Sequence, residues 1–432
     1  MATVSTIAAG FRCLPLPVAQ LSLDAVLQCG QSFRWAVFPL KSNDTPSREY
    51  RFCLRDRVVC LRQTPDTIQY RSVFASEAAT KAEDELREAE TLTWINDYFQ
   101  LNVDLLELYE QWGTRDPVFH KLKNRFSGIR MLRQDPFECL LSFICSSNNN
   151  IGRITKMVKA LCTEYSPALL SLDSPSELSA ANGSPQTYHP FPSPSALAGP
   201  AVAARLRALG FGYRAEFIQK TAKMLVDAHG SVPSKDSGVE PAEEWLKTLR
   251  KLDTASARSE LLKFVGVGRK VADCVLLMSL DKREVVPVDT HVHQIAVKHY
   301  GLSGSKTKAA TNPALYEQVN TKLVGVWGEY AGWAHSVLFT SDLKAFSSYG
   351  ISSTPSTVVA PRPASEASTL VASPTTSPRK RKVPQSSDTQ SNIPEEHETL
   401  QTRERDPFSV PIDSSMADRV KRRRRGKAAP AE

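Results

Sequence analysis

Residues 33–73 alternate apolar and polar positions in short runs, FRWAVF, YRFCLR, RVVCLR and TIQYR, divided by the turn-rich pieces KSNDTPS and QTPD. A period of two broken by turn residues predicts an antiparallel sheet. From residue 92 to 112 the apolar spacing lengthens to that of a helix. Asp135-Pro136-Phe137-Glu138 then supplies a capping aspartate, proline at the first helical position and glutamate near the start, and so predicts a helix with Phe137, Leu140, Leu141 and Ile144 turned inward. That helix ends in CSSNNN, and a second, bearing Arg153, is predicted over 151–162. Residues 174–200 are rich in Ser, Pro and Ala and read as a surface loop. A basic helix leads into Leu209-Gly210-Phe211-Gly212-Tyr213-Arg214, and the last helical pattern covers 330–339. Beyond Phe346 the apolar periodicity stops and Ser, Thr, Pro and charges take over, the composition of a disordered tail.

Residues 260–300 combine the chemistry. Leu261, Leu262 and Phe264 run at helical spacing into Val265-Gly266-Val267-Gly268, and Val271, Ala272, Val275 and Met278 start a second helix, so the pattern is a helix-hairpin-helix. Glycines at such a turn let an anion approach the unpaired N–H groups that open the second helix. Lys270 lies four residues before Cys274, so the two side chains share a face and can line one pocket. Pro287-Val288-Asp289-Thr290-His291 predicts an extended entry, an N-cap at Asp289 and a helix from Thr290. Each piece also has a plain structural reading: a tight turn, a solvated lysine, a cap.

The chain has 432 residues, 41% hydrophobic and 8% aromatic, which suits a globular protein of two or three domains. No run of about 18 apolar residues marks a membrane span. A net charge of +8 favours a polyanionic partner, DNA or an acidic membrane surface alike, although much of the excess sits in the tail. The eight cysteines are scattered with no C-x-x-C pair, which predicts reduced thiols and no metal site. Two basic clusters, 378–382 and 421–425, read as nuclear localisation signals or as non-specific DNA contacts. Residues 1–16, with one arginine and no acid, have a faint transit-peptide character, so a mitochondrial fraction beside a nuclear one is also expected.

Taken in order, the hairpin glycines, a lysine two residues after the second of them, and V-P-V-D before another helix resemble the helix-hairpin-helix GPD superfamily of DNA repair glycosylases. GRKVADCVLLMSLDK and VPVDTH bring the 8-oxoguanine DNA glycosylase branch closest. The resemblance covers roughly residues 10–345 and implies an α+β fold: an N-terminal antiparallel sheet domain with flanking helices (1–118) and a mostly helical catalytic core (119–345); the disordered basic tail (346–432) is read from composition alone. It implies that Lys270 is the nucleophile and Asp289 its electrostatic partner. Gly30, in CGQSFRW, would accept a hydrogen bond from N7–H of the oxidised base through its carbonyl. Cys274 and Phe339 would face the two sides of the flipped base, with Pro287 and His335 in the same pocket. Asn148 would fill the hole left by the base, Tyr213 would wedge into the duplex, and Arg153 and Arg214 would contact the orphaned cytosine. Asn149, His291, Gly266 and Gly268 complete the DNA-facing set.

The implied reaction flips the base from the duplex. Neutral Lys270, favoured by a desolvated pocket, attacks the anomeric carbon while Asp289 stabilises the charge on the sugar; a Schiff base and β-elimination follow. No cofactor is needed, and the expected partner of a monomeric enzyme is double-stranded DNA with oxidised guanine opposite cytosine. Relatives with an iron–sulfur cluster place its cysteines after the catalytic aspartate; here none follows Cys274. The chain departs from the family pattern at Cys29 (serine), Val265 (proline) and His335 (glutamine). Protonation of His335 near its ordinary value of about 6.5 would leave only donors facing the base, so weaker excision below that pH is expected. Two rivals remain: a monofunctional glycosylase for alkylated bases, which lacks the lysine, and a non-catalytic helix-hairpin-helix module, which has no need of Lys270, Asp289 and a base pocket together.

Overall fold

The computed structural model describes residues 10–40, 47–175, 185–235, 237–302 and 312–350. Both basic clusters and the first nine residues lie outside them. Five antiparallel strands form the sheet: β1 (Arg12–Pro15), β2 (Ala36–Pro39), β3 (Arg48–Cys53), β4 (Arg57–Gln63) and β5 (Thr67–Phe74), in spatial order β1-β5-β4-β3-β2. The four predicted runs supply β2 to β5. The sequence pattern missed β1, a four-residue edge strand that ends on a proline, a residue tolerated only where no ladder N–H is needed. Helix α1 (Leu23–Val26) lies between β1 and β2.

The single helical stretch expected over 92–112 is two helices, α2 (Lys81–Tyr98) and α3 (Leu105–Arg115). Gln100 adopts φ 49° and Asp104 caps α3 by accepting from Leu106 N and Glu107 N, so the chain turns between them. Helix α2 packs an aromatic layer on the sheet: Trp94 stacks on Tyr98 at 4.6 Å, and Trp35 Nε1 donates to Tyr98 Oη at 3.1 Å. Tyr50, Phe52, Val59, Leu61, Ile68 and Tyr70 face this layer. On the other side of the sheet the fully buried Glu49 carboxylate takes both Arg51 and Arg62.

After α4 (Pro117–Leu122), the helical body is built around α5 (Pro136–Cys145). Every residue of α5 is buried, as expected of a mostly apolar helix at the centre of a body, with Glu138 and Ser142 as its polar exceptions. Asp135 caps it by accepting from Phe137 N and Glu138 N, as the DPFE pattern predicts. Helix α6 (Ile151–Tyr165) follows. Just before the expected loop comes β6 (Leu170–Leu172), and part of the loop itself is ordered structure: β7 (Gln186–Tyr188) pairs with β6, and α7 (Pro194–Ala198) buries Pro194 and Leu197; residues 176–184 of that loop lie outside the described residues. The hairpin covers the ionic face of the sheet, where Arg51 Nη1 donates to the Asp173 carbonyl at 2.7 Å.

The body continues through α8 (Val202–Ala208), α9 (Arg214–His229), α10 (Pro241–Thr248), α11 (Thr254–Leu261), α12 (Arg269–Ser279), α13 (Thr290–His299), α14 (Pro313–Trp327) and α15 (Ala331–Asp342). Helices α6, α9, α10 and α12 pack on α5. Residues 346–350, which the sequence pattern assigns to the tail, are folded: Phe346 is buried, Tyr349 stacks on Phe126 at 5.7 Å, and its hydroxyl is 2.7 Å from Ser22 Oγ. No described helix is long and apolar enough to cross a membrane.

Candidate active site

Helices α11 and α12 flank the predicted hairpin. Gly266 sits at φ 82°, where a Cβ would lie 2.3 Å from the Phe217 ring, so both conformation and space demand glycine. Gly268 is the N-cap of α12 and brings no side chain to its opening N–H groups. Val265 keeps the turn in place without the family's proline: its carbonyl accepts from Thr221 Oγ1 at 3.1 Å.

Lys270 and Cys274, one turn apart on α12, both line a cavity of about 360 Å³. Asp289, Pro287, His291, His335 and Phe339 line it from α13, α15 and the strand-like entry. Gly30, Cys29 and Asn149 line it as well. Nine of the residues singled out in the sequence thus meet in one cavity, although they span 30–339 in the chain: Gly30, Asn149, Lys270, Cys274, Pro287, Asp289, His291, His335 and Phe339.

Lys270 Nζ donates to Ser146 Oγ at 3.2 Å and lies 5.1 Å from the centre of the Phe143 ring. Sequence reasoning missed both partners; Ser146 is 124 residues away and no local pattern points to it. Asp289 caps α13, accepting from Val292 N at 3.0 Å, so the predicted cap and the candidate catalytic carboxylate are the same group. Burial pushes the Cys274 thiol up to about 11, so it stays protonated at neutral pH.

Gly30 adopts φ 89°, and a Cβ would meet Ile151 Cδ1 at 2.9 Å. Its loop is fixed by the neighbouring motif residues. Gln31 donates to the Arg130 carbonyl and accepts from Leu132 N, both at 3.0 Å. Arg34 grips Glu138 of α5 with two hydrogen bonds, 2.8 and 2.6 Å, in a pair almost wholly buried.

His335 is 7% exposed, and neither ring nitrogen has a hydrogen-bond partner among the described residues. Burial pushes its imidazole down to about 4, against an opposing pull from the Asp289 carboxylate. This corrects the expectation of a charge change near pH 6.5: desolvation keeps the ring neutral well below that. Phe339, one turn on, sits 6.0 Å from the rings of both His335 and His291.

The remaining residues form a rim. Of the three asparagines, Asn149 donates to the Cys145 carbonyl and Asn150 caps α6, as loop asparagines do. Asn148 is exposed at φ 48°. Tyr213 is 49% exposed and donates to the Ser147 carbonyl at 3.0 Å. Arg214, only 3% exposed, is folded back on the Ser147 and Asn148 carbonyls, and the exposed Arg153 donates to the Gly210 carbonyl at 3.0 Å. The two arginines therefore tie the α5–α6 turn, whose Asn149 and Asn150 line the cavity, to the α8–α9 turn.

Residues 13–140 match the model of the 8-oxoguanine DNA glycosylase N-terminal domain, and residues 141–321 that of the helix-hairpin-helix GPD superfamily of base excision DNA repair proteins. An N-glycosylase/DNA lyase of Saccharomyces cerevisiae is 35% identical over 351 residues, 77% of this chain and 86% of the yeast protein. The chain belongs to the 8-oxoguanine DNA glycosylase family. The N-glycosylase/DNA lyase OGG1 of Arabidopsis thaliana is 36% identical over 336 residues, 77% of this chain and 80% of that protein. The crystal structure of the Clostridium acetobutylicum 8-oxoguanine glycosylase/lyase in its apo form superposes with a TM-score of 0.55 at 25% identity, covering 74% of this chain and 93% of the bacterial one. Family membership agrees with the α+β order observed here, an antiparallel sheet followed by a helical body.

Proposed function

We propose that this chain excises 8-oxoguanine paired with cytosine from double-stranded DNA, with Lys270 as nucleophile, and then cleaves the abasic strand by β-elimination. The coarser statement, a DNA glycosylase that is also a lyase, accords with its family. One observation carries the finer one: a lysine amine and an aspartate carboxylate line the same cavity, which is large enough for a flipped base and has apolar walls from Phe33, Phe143 and Phe339. A monofunctional glycosylase or a non-catalytic hairpin module would need no amine there.

The chain's own groups account for each step. Ser146 Oγ and the Phe143 ring hold Lys270 Nζ in the cavity. Attack on the anomeric carbon forms a C–N bond as the glycosidic bond breaks, and the base leaves. Asp289, at the opening of α13, faces the positive charge that builds on the sugar, and its fixed position means little reorganisation on the way to the transition state. The departing base takes the proton that the amine gives up, the C1′–O4′ bond then opens with O4′ protonated from water and kept on C4′ as a hydroxyl, leaving a Schiff base at C1′, and transfer of the C2′ proton to water or another base expels the 3′ phosphate.

Cytosine selection is assigned to Arg153 and Arg214, whose donors match its O2 and N3 acceptors. Both must leave the loop carbonyls they now hold. The Clostridium enzyme has been crystallised with double-stranded DNA containing cytosine opposite 8-oxoguanine, the substrate proposed here. Single-turnover excision opposite cytosine and opposite adenine tests the assignment. Alanine at either arginine should reduce the cytosine preference by about 1–3 kcal/mol. An unchanged ratio in both variants removes the role. The basic tail clusters support nuclear residence, the acid-free residues 1–16 a mitochondrial fraction beside it, and a monomer suffices because one chain supplies the cavity lining.

A further inference from the structure

Residues 285–288 reach Asp289 through the protein interior without belonging to a helix or strand: Val285, Val286 and Val288 are 2%, 0% and 0% exposed. Buried backbone outside regular structure must find its hydrogen bonds elsewhere. Two side chains of α14, four residues apart and so on one face, supply them. Asn320 Nδ2 donates to the Val286 carbonyl at 3.0 Å, and the Tyr316 hydroxyl accepts from Val288 N at 3.0 Å. Pro287, between them, has no N–H to satisfy.

The Tyr316 hydroxyl also looks the other way. It donates to Asp273 Oδ2 at 2.7 Å, and Asp273, fully buried, sits three residues after Lys270 on α12. The second oxygen of Asp273 accepts from Arg258 Nε at 2.6 Å, so the carboxylate is held in place. One hydroxyl therefore joins the backbone beside Asp289 to the helix that carries Lys270.

We infer that Tyr316, assisted by Asn320, is a positioning residue that sets the Asp289 carboxylate relative to the Lys270 amine. This rests on the roles proposed above for those two residues. Neither α14 side chain lines the cavity, so any effect on the chemistry must pass through the 286–289 segment or through Asp273 and α12, and the coupling to Asp289 measured below distinguishes the two routes. Displacements of an ångström or less are enough to matter for groups that act at contact distance. Phenylalanine at 316 keeps the ring's packing and removes only the bridge.

The test is a double-mutant cycle on the full chain, with single-turnover excision rate, duplex affinity and thermal midpoint measured for the parent, Tyr316→Phe, Asp289→Asn and the pair. Tyr316→Phe should slow excision by about ten-fold at unchanged duplex affinity. In the Asp289→Asn background it should cause no further loss. A lowered thermal midpoint with an unchanged rate, or a full second loss in the double variant, overturns the inference. An undiminished rate in Asp289→Asn alone overturns the proposed role of Asp289 and this inference with it, which separates the two failures. Should Tyr316→Phe fold poorly, Asn320→Ser at the half-buried end of the clamp carries the same cycle, and additivity there overturns the inference equally.

Discussion

His335 shows how burial decides what a residue can do. It lines the cavity with both ring nitrogens buried and unpaired, and desolvation holds the imidazole neutral down to about pH 4. In the unfolded chain the same ring takes a proton near 6.5. Between those values the unfolded state binds a proton that the folded state refuses, so stability falls as pH drops through the window and is fully present above it. We expect urea unfolding to show that His335→Gln loses less stability than the parent between about pH 7 and 4.5, by on the order of 2–3 kcal/mol. The two proteins should share one excision profile around pH 6.5. A parent-specific ionisation there would mean that the ring is solvated in the working state.

At the scale of elements, the Arg34–Glu138 pair joins the entry to the sheet with the central helix α5 and thereby holds the Gly30 loop over the cavity. Removing one partner strands a buried charge. Glu138→Ala should destabilise by about 3–5 kcal/mol, whereas replacing both with apolar residues of similar size should cost much less. Chemical denaturation of the three proteins checks this; equal losses would reduce the pair to ordinary packing.

What the sequence made legible follows the same division. Asp135 and Asp289 were readable because a cap is local: the side chain bonds N–H groups two or three residues on. Gly266 was readable because a turn announces its glycine. The break between α2 and α3 was not, since it rests on a non-glycine residue, Gln100, in left-handed conformation. Ser146 beside Lys270 and Tyr316 beside Val288 were invisible because tertiary packing alone brings them there. The arginines of the rim were identified by position, but their present bonds to loop carbonyls are a property of the fold.

For the molecule as a whole, the folded part ends later than apolar periodicity suggests. Arg125 donates to the Tyr349 carbonyl at 2.7 Å, and Tyr349 closes on Phe126 and Ser22. A chain ending at 350 should unfold at the parent's thermal midpoint and excise normally at low salt, while one ending at 343 should lose roughly 3 kcal/mol or more with its buried aromatics. Both should fail to accumulate in the nucleus, since each lacks the two basic clusters. Equal midpoints for the two truncations would contradict the packing described here.

The central claim is that Lys270 forms a covalent bond to the sugar. Borohydride reduction of the enzyme on a duplex carrying 8-oxoguanine opposite cytosine measures that bond directly. The parent should yield a stable protein–DNA adduct, and Lys270→Gln should yield none while still binding the damaged duplex. An adduct of undiminished yield in Lys270→Gln would contradict the account.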